Sequence, residues 1–135
     1  MPDFKVVISL KDGKSVQKEV KDPHAKSLMG KKLGDKIKGD DIDLAGYEFQ
    51  ITGGSDYCGF PMRRDVSGTM RKKILAVGGV GIKGGQRGQL QRKTVCGNTV
   101  YAKTAQINVK VLKEGKAKLI EEKPAVEKKE EKAKA

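Results

Sequence analysis

Residues 78–88 read GGVGIKGGQRG, and no regular element can run through them. Six of the eleven are glycine, the residue that loses most backbone freedom on ordering. The segment must be a connection, and a long one for a compact domain. It contains Gly79-Val80-Gly81-Ile82-Lys83-Gly84, the spacing of a dinucleotide-binding fingerprint. That site needs a preceding strand, a helix opening at the glycines, and an acidic residue about 20 positions on for the ribose. KILAV (Lys73–Val77) supplies the strand, and nothing supplies the rest. Gly85 and Gly88 follow, then Thr94, Val95 and Gly97, which do not build a helix. Positions 95–113 hold no Asp or Glu. A P-loop fails as well, because Gly13-Lys14-Ser15 has Ile8 where the first glycine belongs. The segment reads as a cationic link between two strands, mobile until a partner orders it.

The rest of the chain is punctuated in the same way. FKVVISL (Phe4–Leu10) reads as a strand, Asp12-Gly13 as a tight turn and SVQKEV (Ser15–Val20) as the return strand. Asp22-Pro23 reads as a helix start with Asp22 as N-cap. The helix over PHAKSLMGKKL ends at Gly34, or earlier at Gly30. Ile37 and Ile42 anchor a short strand or an irregular connection, and Tyr47, Phe49 and Ile51 alternate along a strand with one buried face. GSDYCGFPMRRDVSG is loop-like, Gly97-Asn98 a turn, and Gln106–Leu112 a long strand. Gly53, Gly54 and Gly97 read as turn positions needing positive φ. The fold expected is mainly β: a small β-barrel with one short helix, though a sandwich fits the same pattern. Residues 1–118 form the domain. Residues 119–135, dominated by Lys, Glu and Ala, form a disordered charged tail.

The net charge of +12 is not spread evenly. Residues 1–60 hold ten Lys and ten Asp/Glu, and residues 119–135 hold five Lys and five Glu. Residues 61–118 hold fourteen Lys/Arg and only two acids, Asp65 and Glu114. All five arginines lie between Arg63 and Arg92. A charge run that served solubility alone would be scattered. Concentrated Arg without counter-charge points to a polyanion. A membrane surface would want an amphipathic helix with bulky apolar residues on one face, and none is visible. No apolar run approaches the roughly 18–20 residues that span a bilayer. Three clusters carry the charge: Arg63-Arg64, Arg71-Lys72-Lys73, and Lys83, Arg87, Arg92 and Lys93. Arg clamps phosphate with two N–H groups, Lys supplies point charge, and glycine lets backbone approach a sugar–phosphate surface.

Other chemistry is poorly supplied. Cys58, Cys96 and His24 are isolated, so no metal set is expected. The two cysteines read as reduced, buried thiols. Asp35, Asp40, Asp41 and Asp43 lack the order of a calcium loop and read as a solvated acidic turn. No cofactor and no small-molecule substrate are expected. The six aromatics are Phe4, Tyr47, Phe49, Tyr57, Phe60 and Tyr101, and none lies between residues 61 and 100. Single-strand readers stack bases on aromatics. A basic region without them points to folded RNA recognised by shape and backbone. Tyr57 and Phe60 are the two exceptions that could stack a base, and each reads first as a loop plug.

GGSDYCGFPMRRDV (Gly53–Val66) closely resembles the signature of the S-six family of archaeal and eukaryotic small-subunit ribosomal proteins, with its Gly-Gly-x-Asp-x-x-Gly-Phe-Pro-Met core. GQRGQLQRKTVCGNTV (Gly85–Val100) and INVKVLKEG (Ile107–Gly115) look like the family's second region and closing strand. The resemblance covers about residues 3–116. It implies a small β-barrel bound to small-subunit ribosomal RNA among neighbouring ribosomal proteins, in the cytoplasm. Eukaryotic members carry a long basic extension ending in phosphorylated serines. This chain has no Ser, Thr or Tyr after Thr104, and the short form looks archaeal.

The expectation is a non-enzymatic structural constituent of the small subunit. Arg63, Arg64, Arg71, Lys72, Lys73, Lys83, Arg87, Arg92 and Lys93 would face RNA. Gly53, Gly54, Asp56, Gly59, Phe60 and Pro61 would form a rigid loop presenting Met62–Arg64. The alternative is a barrel module of a translation or ribosome-assembly factor that binds RNA transiently.

Overall fold

Phe4, Val6 and Ile8 alternate with residues that stay wholly or partly in water, and that period of two builds the first strand of the core. The computed structural model of the chain describes residues 3–116 and Leu119. Strands β1 (Phe4–Ser9) and β2 (Ser15–Val20) form an antiparallel hairpin, closed by Gly13 at φ +82°. Helix α1 (His24–Leu28), strand β3 (Lys36–Lys38) and a 3-10 turn (Gly39–Ile42) follow. Then come β4 (Glu48–Asp56), β5 (Lys72–Ala76), β6 (Gln91–Val95) and β7 (Thr104–Lys113). β7 runs parallel to β1 and antiparallel to β4. The main sheet has the order β2-β1-β7-β4-β3, and β5 and β6 form a separate two-stranded sheet.

The class is therefore mainly β with one short α-helix, but the sheets do not close into a barrel. β2 and β3 remain as edges of the five-stranded sheet. β2 suits an edge: Gln17 and Glu19 are exposed and Lys18 is partly so, and charge discourages further pairing. Phe49 and Ile51 of β4, Ile107, Val109 and Val111 of β7, and Ile37 of β3 join the β1 residues in one core. Ala25 and Leu28 of α1 pack into it, with Ile42, Tyr47 and Val100. Burying each large side chain contributes roughly 1.5–3 kcal/mol.

The helix is shorter than the sequence suggests. It stops at Leu28, and Gly30 takes φ +80°. Asp22 does not cap it: Pro23 stands at the N-cap without a side-chain hydrogen bond, and Asp22 Oδ1 is buried with no partner among the described residues. The acidic turn is knitted in at Asp43, whose carboxylate lies 3.0 Å from His24 Nε2 and 4.0 Å from Lys18 Nζ. The expected tail falls beyond the described residues, except Leu119, which packs half-buried against the core.

Two departures position the functional region. GGSD belongs to β4, not to a loop. Gly53, Gly54 and Gly97 are not among the positive-φ glycines. Gly54 and Gly97 are required instead by close approach. A Cβ on Gly54 would lie 2.5 Å from the Gln106 carbonyl oxygen, and one on Gly97 would lie 1.9 Å from that of Gly68. Gly54→Ala is expected to cost about 1–3 kcal/mol, as overpacking does, and a denaturant titration should show the lowered midpoint.

Candidate nucleic-acid interface

Along β4, Phe49 and Ile51 point inward, and a strict alternation would turn residue 56 outward. A bulge prevents this. Ile51 pairs with Val109 but Gly53 with Asn108, two steps on β4 against one on β7. The bulge shifts the alternation, and Asp56 is driven into the interior. There Arg71 donates to both its oxygens, with Nη2 3.1 Å from Oδ1 and Nε on Oδ2. The Cys58 amide (3.0 Å) and the Tyr101 hydroxyl (3.3 Å) also donate to it. Burial by itself raises the Asp56 carboxyl, but the Arg71 guanidinium, the Cys58 N–H and the Tyr101 hydroxyl outweigh it. The group is held below the usual carboxylate value. Tyr101 is pushed up to about 12, first by burial and then by Cys96 and Asp56, so its hydroxyl stays protonated and able to donate.

This ion pair ties residues 57–71 back onto β4. Gly59 makes the turn at φ +87°. Pro61 then bridges to Ser55, and Met62 bridges to Cys96 just past β6. The Cys96 amide donates to the Pro61 carbonyl at 2.8 Å, and the Met62 amide to that of Gly54 at 3.0 Å. Met62 is thus a buried core residue that joins the main sheet to the hairpin.

β5 and β6 form a hairpin with 14 intervening residues, 77–90. In its register Lys73 faces Thr94 and Leu75 faces Arg92 on one side; Lys72 faces Val95 and Ile74 faces Lys93 on the other. Lys72, Lys73, Lys83, Arg87, Arg92 and Lys93 are all exposed, as is Arg64. No Asp or Glu occurs between residues 66 and 113. An isolated two-stranded hairpin is marginal in water, and this one carries uncompensated like charge. Its base is held by the buried Val95 and by Arg63. Arg63 pairs with Asp65 at 2.8 Å, and its Nη1 donates to the carbonyls of Val80 (2.9 Å) and Gly78 (3.4 Å). Arg63 and Arg71 therefore spend guanidinium donors inside the protein, one clamping the glycine segment and the other Asp56.

The glycine segment leads into a second strand, β6, and not into the helix that a dinucleotide fingerprint requires. Five of its six glycines have positive φ. A Cβ on Gly81 would stand 3.0 Å from Pro61 and 3.1 Å from Val95, so the near end of the segment packs closely. At the far end a Cβ on Gly84 or Gly88 would meet nothing, while Gln91 Nε2 donates to the Gly84 carbonyl at 3.1 Å and the Gln86 amide to Gln89 Oε1 at 3.0 Å.

The family model described as ribosomal protein S6e matches residues 4–123, spanning the core, the Asp56 turn and the hairpin. The chain belongs to the ribosomal protein S6e family. Among its relatives is the small ribosomal subunit protein eS6 of Methanosphaera stadtmanae, 47% identical over 118 residues, 87% of this chain and 90% of that one. The eS6 of Archaeoglobus fulgidus is 46% identical over 121 residues, 88% and 94% of the two chains. That of Methanocella arvoryzae is 40% identical over 131 residues, 96% and 92%. These relatives are archaeal.

Several features of this S6e chain escape sequence reading. The Arg71–Asp56 pair joins residues 15 apart through a bulge that leaves no mark in composition. β6 hides in the polar run QRKTV. Cys58 is exposed, so only Cys96 is the buried thiol expected of both. Tyr57 does not plug its loop but stands 59% exposed, whereas Phe60 is half-buried beside Arg71.

Proposed function

We propose that this chain is a structural, non-enzymatic constituent of the small ribosomal subunit and that the β5–β6 hairpin is its face toward folded ribosomal RNA. The observation that carries the reading is an exposed hairpin with six cations and no acid, built on a family scaffold whose archaeal relatives are small-subunit proteins. Such a surface is self-repelling until a polyanion neutralises it. Lys72, Lys73, Lys83, Arg87, Arg92, Lys93 and Arg64 would meet phosphates directly. Arg63 and Arg71 would act mainly by fixing the hairpin's base. Leu75, Val77, Val80 and Leu90 lie exposed among these cations. Apolar residues grouped on one element suit a partner surface, here neighbouring ribosomal proteins. The setting is the cytoplasmic ribosome.

Sedimentation tests the role. A structural constituent stays with the small subunit through moderate salt, whereas a transiently bound factor washes off, and loss at moderate salt would favour that alternative. The far end of the glycine segment, residues 83–88, would settle on RNA. Its amide protons should gain exchange protection in the subunit, and equal exchange rates free and bound would refute the ordering.

A further inference from the structure

Residues 61–100 hold no aromatic side chain, yet the fold sets one beside the hairpin's base. Tyr57 follows the buried Asp56 directly and stands exposed next to Arg71, the residue before β5. Arg71 Cζ lies 4.8 Å from the Tyr57 ring centroid and 5.1 Å from that of Phe60. Lys103 Nζ lies 5.8 Å from the Tyr57 centroid, and the Lys103 carbonyl accepts from the Tyr57 amide at 3.0 Å. Between them is a cavity of about 320 Å³ lined by Tyr57, Thr69, Met70, Arg71, Tyr101 and Lys103. That volume is at the small end of the roughly 300–1,000 Å³ of ligand sites. Among the described residues no carboxylate lines it, and the nearby Asp56 is already held by Arg71 and Tyr101.

We propose that this cavity takes one unpaired nucleotide of the ribosomal RNA, its base against the Tyr57 ring beside Met70 and its phosphate at Lys103. The inference rests on the ribosomal RNA reading above and adds to it a point of base contact within backbone recognition. An exposed aromatic ring with Arg71 and Lys103 set over it matches the two halves of a nucleotide, a plane that stacks and an anion. A second cleft that Tyr57 and Lys103 also line has Asp3 in its wall, whose carboxylate repels phosphate. The occupant therefore belongs on the Met70 side, in line with the RNA path along Lys72.

The test titrates the full chain with small-subunit ribosomal RNA from its own organism. Tyr57→Ala should weaken binding roughly 5- to 150-fold, the range for losing one base stack, with the salt slope unchanged. Tyr57→Phe keeps the ring and should bind within about twofold of the parent. Lys103→Ala should lower the log–log salt slope by about 0.7–0.9, one phosphate contact, and decides the matter if Tyr57→Ala fails to fold. Affinity unchanged by Tyr57→Ala, or a slope unchanged by Lys103→Ala, overturns the proposal. If Arg87→Ala with Arg92→Ala still weakens binding in that case, the ribosomal RNA reading stands without the nucleotide site. If the unaltered chain shows no salt-sensitive binding, the parent reading itself fails.

Discussion

Replacing Arg87 and Arg92 together by alanine should lower the log–log salt slope of binding to small-subunit ribosomal RNA by about 1.4–1.8, two phosphate contacts at roughly 0.7–0.9 each. Between about 50 and 200 mM salt, the double variant would then lose roughly tenfold less affinity than the parent. The reason is geometric as well as electrostatic. Arg92 lies on the hairpin face that carries Lys73, and Arg87 lies in the open far part of the glycine segment. No carboxylate within the hairpin competes for either. Replacing Lys128 and Lys129 removes the same formal charge from a stretch balanced by glutamates and should leave the slope alone. Equal effects from the two pairs would mean that net charge, and not the hairpin, sets the affinity.

Asp56→Ala should destabilise the protein by about 3 kcal/mol, the lower end of the range for breaking a buried ion pair, because Arg71 is partly exposed and can regain water. The melting temperature should fall by on the order of 10 °C. The Tyr101 hydroxyl and Cys58 amide lose their acceptor in the same step. The pH dependence gives a second reading. The folded Asp56 carboxyl titrates below its unfolded value. In the window between them the unfolded chain binds more protons, so the contribution is present above about pH 4 and is lost as pH falls through the folded value. Asp56→Ala should remove this component of the acid limb. Thermal melts between neutral pH and pH 3 would detect it, and an acid limb identical to the parent's would contradict the role given to Asp56.

Local features are legible in the sequence where one period governs a short stretch. The β1–β2 hairpin follows from alternating Val and Ile around Asp12-Gly13, and the inward Tyr47, Phe49 and Ile51 follow from spacing alone. The glycine segment fails as a nucleotide loop on sequence grounds because the residues after it cannot form a helix, and in the fold they form strand β6. Features set by distant pairing are not legible. An open sheet and a barrel use the same strands, and only the absence of pairing between β2 and β3 distinguishes them. Gly54 and Gly97 look like turn residues because glycine is common in turns. Their requirement comes from carbonyls of Gln106 and Gly68, far off in sequence. Asp56 cannot be assigned to the interior without the bulge before it. Arg63 and Arg71 can be counted as cations from the sequence, but the carbonyls and carboxylate that engage them become neighbours only in the fold.

Crosslinking on intact small subunits would locate the surface of this chain that meets ribosomal RNA. A short lysine-reactive, RNA-directed crosslinker followed by mapping of the protein peptides should place ribosomal RNA contacts on Lys72, Lys73, Lys83 and Lys93. Crosslinks confined to lysines of the β1–β2 edge, such as Lys5 and Lys14, with none on the hairpin, would contradict the hairpin's role as that surface.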